Sequence, residues 1–177
     1  IGLCLIIALV TPAAGGLLFL CVLTAASLYG FVVRNLLKGG IFLGDGGSLG
    51  LAMLMSAGAL NASQSRPESI YIFGIAFLPF FLDVGLTLWR RARRGERLMD
   101  AHKEHMYQRL RAAGWSHQAV SAGYSLLILL AGVSAIALEA RFGGAGLWIA
   151  GTFSTAATAL YWRVMFAGRV SSAAPQS

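Results

Sequence analysis

Apolar residues in this chain come in long blocks, not in the half-polar alternation of a water-soluble helix. Five stretches, near 13–33, 48–62, 69–89, 119–139 and 145–166, approach or exceed the roughly 20 residues that span a bilayer. An apolar stub, 1–11, stands in front of them, and Gly46 and Gly47 extend the short second stretch. Helix breakers separate the blocks: Pro12 with Gly15-Gly16, the run from Asn61 to Pro67, and Gly143-Gly144. Ser116 is placed to N-cap the fourth stretch, and Gly114 to end a helix before it. The pattern predicts an all-α fold, a polytopic integral membrane helical bundle of about five full transmembrane helices plus an N-terminal partial helix. Loops are expected at 34–47 and 90–118, with a small polar tail at 168–177. The first run, Ile1 to Val10, is too short to span and lacks the basic n-region of a signal peptide. With no initiating Met, the chain reads as the C-terminal part of a longer protein.

Composition sharpens this picture. The chain is 57% hydrophobic and only 12% charged, against about 25% charged in a soluble domain. The net charge of +7 does not point to nucleic acid, because the basic residues lie in loops beside apolar spans. Arg34 and Lys38, the eight basic residues between Arg90 and Arg111, and Arg163 with Arg169 all fall on one face of a five-span topology. The opposite face holds only Arg66 and Arg141. The positive-inside rule puts the Asp45 loop, the 90–118 loop and the tail in the cytoplasm. Cys4 and Cys21 lie in apolar stretches and read as buried thiols acting as small hydrophobes.

Three polar groups gather on that face. Asp45, in Ile41-Phe42-Leu43-Gly44-Asp45-Gly46-Gly47-Ser48, puts a carboxylate among glycines. Such a turn is ordinary hairpin chemistry. It also suits magnesium, which takes one or two carboxylates and fills its shell with water and phosphate oxygens. Gly46 and Gly47 let backbone amides approach an anion closely. Asp83 lies within the third stretch, after Pro79, which can kink the helix, and about two turns before Arg90. An ionisable group there faces a bundle interior or a water-filled cavity. The bland alternative is a carboxylate paired with arginine near the helix end. Last, His102, His105 and Arg109 share a face if 101–110 is helical, beside an apolar stripe of Met106, Leu110 and Ala113. Such a helix can present imidazole and guanidinium to phosphates, or simply bind anionic headgroups. A zinc site on His-x-x-His would need a third ligand, for which only His117 is at hand. The Arg90–Arg97 cluster reads mainly as a topology anchor.

Taken in order, these residues resemble the polyprenyl-phosphate N-acetylhexosamine-1-phosphate transferases. Asn35 and then Ile41 to Ser48 are similar to that family's Asn…Ile-Phe-Met/Leu-Gly-Asp-x-Gly-Ser signature. Pro79 to Asp83 followed by Arg90-Arg91 resembles its Pro-x-x-Asp region, with one extra residue. His105-Met106-Tyr107-Gln108-Arg109-Leu110 stands where the family has His-x-His-His-Arg-Leu, and Gly114-Trp115-Ser116-His117 resembles its Gly-Leu-Ser-His. The likeness covers about residues 30 to 120. Tyr107 and Gln108 replace two histidines, and His102 stands where many members have Asp, as in a branch associated with O-antigen and other surface polysaccharides.

The resemblance implies transfer of a sugar-1-phosphate from a UDP-N-acetylhexosamine to polyprenyl (undecaprenyl) phosphate, with release of UMP, at the bacterial inner membrane. It implies Mg2+, with Mn2+ as an alternative, on Asp45. His105 would contact a phosphate or the leaving group, with Arg109 beside it and His102 as a lesser contact. Asp83 would order the metal site or the lipid-phosphate pocket. The family's Asp-Asp and Asn…Asp-Gly motifs would precede residue 1, so this segment alone is expected to be inactive. Two readings compete: an ion-coupled secondary transporter with Asp83 in a broken helix, and a non-catalytic scaffold with a basic lipid-binding loop. Helix-packing glycines such as Gly46 and Gly50 leave a homodimer open.

Overall fold

The computed structural model describes residues 15–38, 43–96 and 105–170, and all regular structure among them is α-helical. The chain divides into two compact units, Ile1–Gly74 and Ile75–Ser177. Seven helices are described, α1 (Gly15–Lys38), α2 (Gly44–Ser65), α3 (Ser69–Ala76), α4 (Leu78–Arg93), α5 (Met106–Ala112), α6 (His117–Phe142) and α7 (Gly144–Val170). Six of them fall on the five apolar stretches expected from the pattern, the third being divided, and α5 lies in the expected 90–118 loop. The stub 1–11 and the tail 171–177 lie outside the described residues.

In the first unit the helices are longer than their apolar runs. α1 begins at Gly15, within the expected breaker of Pro12 with Gly15-Gly16, and α2 continues through Asn61 to Ser65. The expected loop 34–47 contracts, because α1 runs to Lys38 and α2 begins at Gly44. Gly44 has φ +66°, a left-handed turn that glycine adopts without steric cost, and α2 follows at once. Asp45, Gly46 and Gly47 therefore sit in the first turn of a helix rather than in an open loop. Met55, Gly58 and Ala62 form the buried face of α2 at helical spacing, while Leu49 and Met53 are exposed. Cys21 is buried, as a small apolar residue is.

The third apolar stretch is broken. α3 and α4 meet at Phe77 with a bend of 58°. Pro79 occupies the first turn of α4, where its missing N–H costs nothing and its ring blocks continuation of a straight helix.

The second unit is built on an antiparallel hairpin of α6 and α7. Ser116 accepts a hydrogen bond from the Ala119 amide at 3.1 Å and caps α6 as expected. Gly114 has φ +90° just past α5. Gly143, at φ +59°, turns the chain between α6 and α7. Near that turn the buried positions are small: Ala131 and Ala135 on α6, Ala150, Ser154 and Thr158 on α7. Small residues let two helices approach closely. Away from the turn the buried residues are large, with Tyr124 and Val120 facing Trp162, and α5 adds Met106 and Leu110 to that cluster.

By length and hydropathy, one described helix, α6, qualifies alone as a membrane span, and α3 with α4 qualifies as a second if the bent pair is one span. Only the described residues enter that count, and α1 adds a shorter apolar segment, Phe19–Asn35. In α7, Thr152, Thr155 and Thr158 place hydroxyls in an otherwise apolar helix. Each hydroxyl donates to a carbonyl of the preceding turn, at 2.8–2.9 Å, so its polarity is satisfied within the helix.

A Cβ on Gly146 would collide with the Leu138 carbonyl oxygen, whereas one on Gly151 would meet nothing within 4 Å. Gly146→Ala should lower the stability of the hairpin by about 1–3 kcal/mol through overpacking. Gly151→Ala should leave it unchanged or slightly raised. Thermal unfolding of the two variants in lipid nanodiscs checks this, and equal melting temperatures would contradict it.

Candidate functional site

The buried face of α4 is polar. Pro79, Asp83, Thr87 and Arg91 recur every fourth residue along it, and all are buried. A carboxylate so placed must find donors, since burying it unpaired is very costly. Asp83, only 3% exposed, finds them on three elements. Its Oδ1 accepts from the Met106 amide at 2.6 Å, and its Oδ2 from the Tyr107 amide at 3.4 Å. The Tyr124 hydroxyl on α6 donates to Oδ2 at 3.0 Å, and the Thr87 hydroxyl reaches Oδ1 at the long limit of 3.5 Å. None of these partners is an arginine. Tyr124 in turn accepts from the Trp162 indole N–H of α7 at 3.0 Å.

The first two of those donors explain where α5 begins. The opening amides of a helix lack intrahelical acceptors, and Asp83 supplies them. His105 therefore does not stand inside a helix spanning 101–110. It has extended backbone (φ −56°, ψ 149°) and occupies the N-cap position. The expected helical face shared by His102, His105 and Arg109 is corrected accordingly. His102 lies outside the described residues. The apolar stripe does form, but Met106 and Leu110 are packed into the second unit rather than laid against a surface.

His105 is held from three sides. Its main-chain N–H donates to the Gln108 side-chain oxygen at 3.1 Å. Its ring stacks on Tyr107 at 5.9 Å with an interplanar angle of 14°. Its Nδ1 lies 3.7 Å from Asp83 Oδ1, outside hydrogen-bond range. The imidazole remains 29% exposed and can reach a ligand. Arg109 follows one turn later, with its guanidinium 5.6 Å from the Phe166 ring, and is exposed. Tyr107, beside it, lines a cleft of about 310 Å³ with Phe80, Ser121, Tyr124 and Ser125.

The arginine cluster is more ordered than a topology anchor requires. Glu96 bridges Arg91 Nε at 3.1 Å and Arg94 Nε at 2.7 Å across Gly95, which has φ +69°. Arg93 lies over the Trp89 ring at 4.2 Å. Arg97 lies outside the described residues.

The structure thus brings Asp83, His105 and Arg109 together in one unit. Asp45, Gly46 and Gly47 belong to the other unit, and the Asp45 side chain lies outside the described set. Among the described residues no three His, Cys, Asp or Glu side chains form a group able to hold a metal. Sequence reasoning missed Tyr124, Trp162 and Glu96. The available signal was that a buried Tyr or Trp usually finds a partner for its polar atom.

Parts of this chain align with known proteins. It is 31% identical over 144 residues to the phospho-N-acetylmuramoyl-pentapeptide-transferase of a Nostoc species, covering 78% of this chain and 37% of that protein. It is 28% identical over 113 residues to the decaprenyl-phosphate N-acetylglucosaminephosphotransferase of Mycobacterium leprae, covering 56% of this chain and 28% of that protein. The protein of the same name from Mycobacterium tuberculosis is 27% identical over 113 residues. The chain spans about a quarter to two fifths of the length of the curated relatives it matches. No family model and no solved structure matches it.

Glu96→Gln should remove charge from a contact to Arg91, which is itself buried. With Glu96 partly exposed, the expected loss is about 1 kcal/mol. Arg94→Gln, at an exposed position, should cost less. Comparing the melting temperatures of the two variants checks the order, and a larger effect of Arg94→Gln would contradict it.

Proposed function

We infer that this chain, a homologue of the polyprenyl-phosphate sugar-phosphate transferases, carries part of the cytoplasmic face of such an enzyme. The proposed reaction joins a UDP-N-acetylhexosamine to a polyprenyl phosphate at the bacterial inner membrane. An oxygen of the lipid phosphate attacks the sugar-bearing phosphorus, that phosphorus–oxygen bond forms, the bond to UMP breaks, and a polyprenyl-diphosphate sugar remains. Its role would be to initiate a cell-envelope polysaccharide of the O-antigen kind.

One observation carries this reading. Two motifs far apart in sequence, Pro79 to Asp83 and His105 to Arg109, lie against each other, joined by the 2.6 Å bond from the Met106 amide to Asp83. Phosphoryl transfer asks a protein chiefly for positioning and neutralisation of charge. A partly exposed imidazole one turn before an exposed guanidinium, at the basic end of an apolar bundle, fits that task. His105 would contact the transferred phosphate or leaving UMP, with Arg109 as the neighbouring cation and His102 as a further anion contact. The first-turn amides at Gly46 and Gly47 would face substrate phosphates. Mg2+ on Asp45 belongs to the proposal, supplying charge neutralisation when bound. Its remaining ligands are not found in a described cluster, so the roles assigned to this chain are those of its side chains. The apolar outer faces of α6 and α7, with Leu126, Val133, Trp148 and Leu160 exposed, suit lipid tails rather than water. The transporter reading loses support, because Asp83 is closed off by donors on both oxygens instead of lining an ion path.

The test is UMP release from UDP-N-acetylglucosamine and related UDP-sugars by the whole protein, reconstituted with undecaprenyl phosphate. His105→Ala should lower turnover about 10²-fold or more with unchanged yield of protein. Asp45→Asn should lower it by about 10²–10³-fold. Wild-type turnover in both variants would refute the assignment. Transport activity without nucleotide release would favour the ion-coupled alternative.

A further inference from the structure

We propose that Tyr124 and Trp162 are positioning residues for His105, acting through Asp83 as a buried latch that seats α5. The latch rests on the geometry alone, and its effect on turnover rests on the transferase reading above.

The contacts form one continuous line across four helices. Trp162 Nε1 of α7 donates to the Tyr124 oxygen at 3.0 Å. An indole N–H is only a donor. By occupying a lone pair of the phenol it leaves the phenol hydrogen to point elsewhere, and that hydrogen has an acceptor at 3.0 Å, Asp83 Oδ2 on α4. Asp83 then takes the Met106 and Tyr107 amides of α5. His105 is the residue immediately before them, with its N–H turned back to Gln108. Both Asp83 oxygens thus accept from donors within the bundle. What it does for the site it does through the backbone of α5.

Packing holds the latch in register. The Tyr124 ring meets Phe80 at 5.7 Å and Tyr161 edge-on at 5.8 Å and 84°, so its hydroxyl cannot swing away without unpacking three helices. Met106 and Leu110 sit against the same cluster as Tyr124 and Trp162. Removing only the hydroxyl keeps that apolar contact and deletes one donor to the carboxylate. A hydrogen bond to a charged group is worth a factor of about 10–100 in an opening equilibrium.

The experiment is Tyr124→Phe in the whole protein, in lipid nanodiscs, with two readouts. Hydrogen exchange by mass spectrometry should show the Met106–Tyr107 amides opening about 10–100-fold more readily, with the melting temperature lowered by the few degrees that such a loss implies. UMP release should show kcat lowered about tenfold or more, with KM for the UDP-sugar little changed. Trp162→Phe should shift both in the same direction by less, and it stands in if Tyr124→Phe misfolds. Unchanged exchange would overturn the latch. Faster exchange with full turnover would overturn the positioning role. Lowered kcat with unchanged exchange would also overturn it, because Tyr124 would then act on substrate directly. If the wild-type protein releases no UMP from any UDP-sugar, the transferase reading fails, and exchange alone decides whether the latch exists.

Discussion

A carboxylate buried inside an apolar helix bundle has to be satisfied, and the satisfaction of Asp83 organises everything around it. An isolated ionised carboxylate in a low-dielectric interior costs far more than a folded protein's whole margin of stability. Here the cost is met by two backbone amides and two hydroxyls. The donors come from α4 itself, α5 and α6, and the line extends to α7 through Trp162. α5, seven residues long, would be marginal as an isolated helix. It persists because its first turn is capped by Asp83 and its apolar face is buried against α6 and α7.

The hairpin of α6 and α7 supplies the rigid frame for that capping. It is tight where its buried residues are small, near Gly143, and opens toward large residues at the far end. The widening makes room for Tyr124, Trp162 and the short α5. Trp115 extends the frame, its indole N–H donating to the Met165 carbonyl at 3.0 Å, so the connection from α5 into α6 is tied to α7 as well. The loop that carries His105 is therefore gripped at both of its described ends: by Asp83 before α5 and by Trp115 after it. The preceding end of α4 is closed by Glu96 on Arg91 and Arg94.

Much of the fold was legible because its signals are local. Apolar block length located the helices, and Ser116, Gly114 and Gly143 marked ends that the structure keeps. Where local signals failed, a longer-range contact prevailed. His102, His105 and Arg109 have helical spacing, yet His105 is extended because a carboxylate 23 residues away captures the next amide. Asp83 stood out in the sequence as an intramembrane charge, but nothing local could name its partners. Tyr124 and Trp162 lay hidden in apolar runs, where an aromatic residue looks like any other core residue. In α7 the threonine hydroxyls are satisfied within the helix, which their residue type alone does not reveal. Asp45 remains outside this account of geometry, in a separate unit and without a described side chain.

The most direct test is an experimental structure of the whole protein with a UDP-sugar bound. The account predicts the Asp83 carboxylate within hydrogen-bond distance of the Met106 and Tyr107 amides, about 3 Å, with the His105 imidazole turned toward the diphosphate. An Asp83 carboxylate directed at a metal ion or at open water, with residues 105–112 detached from it, would contradict the account.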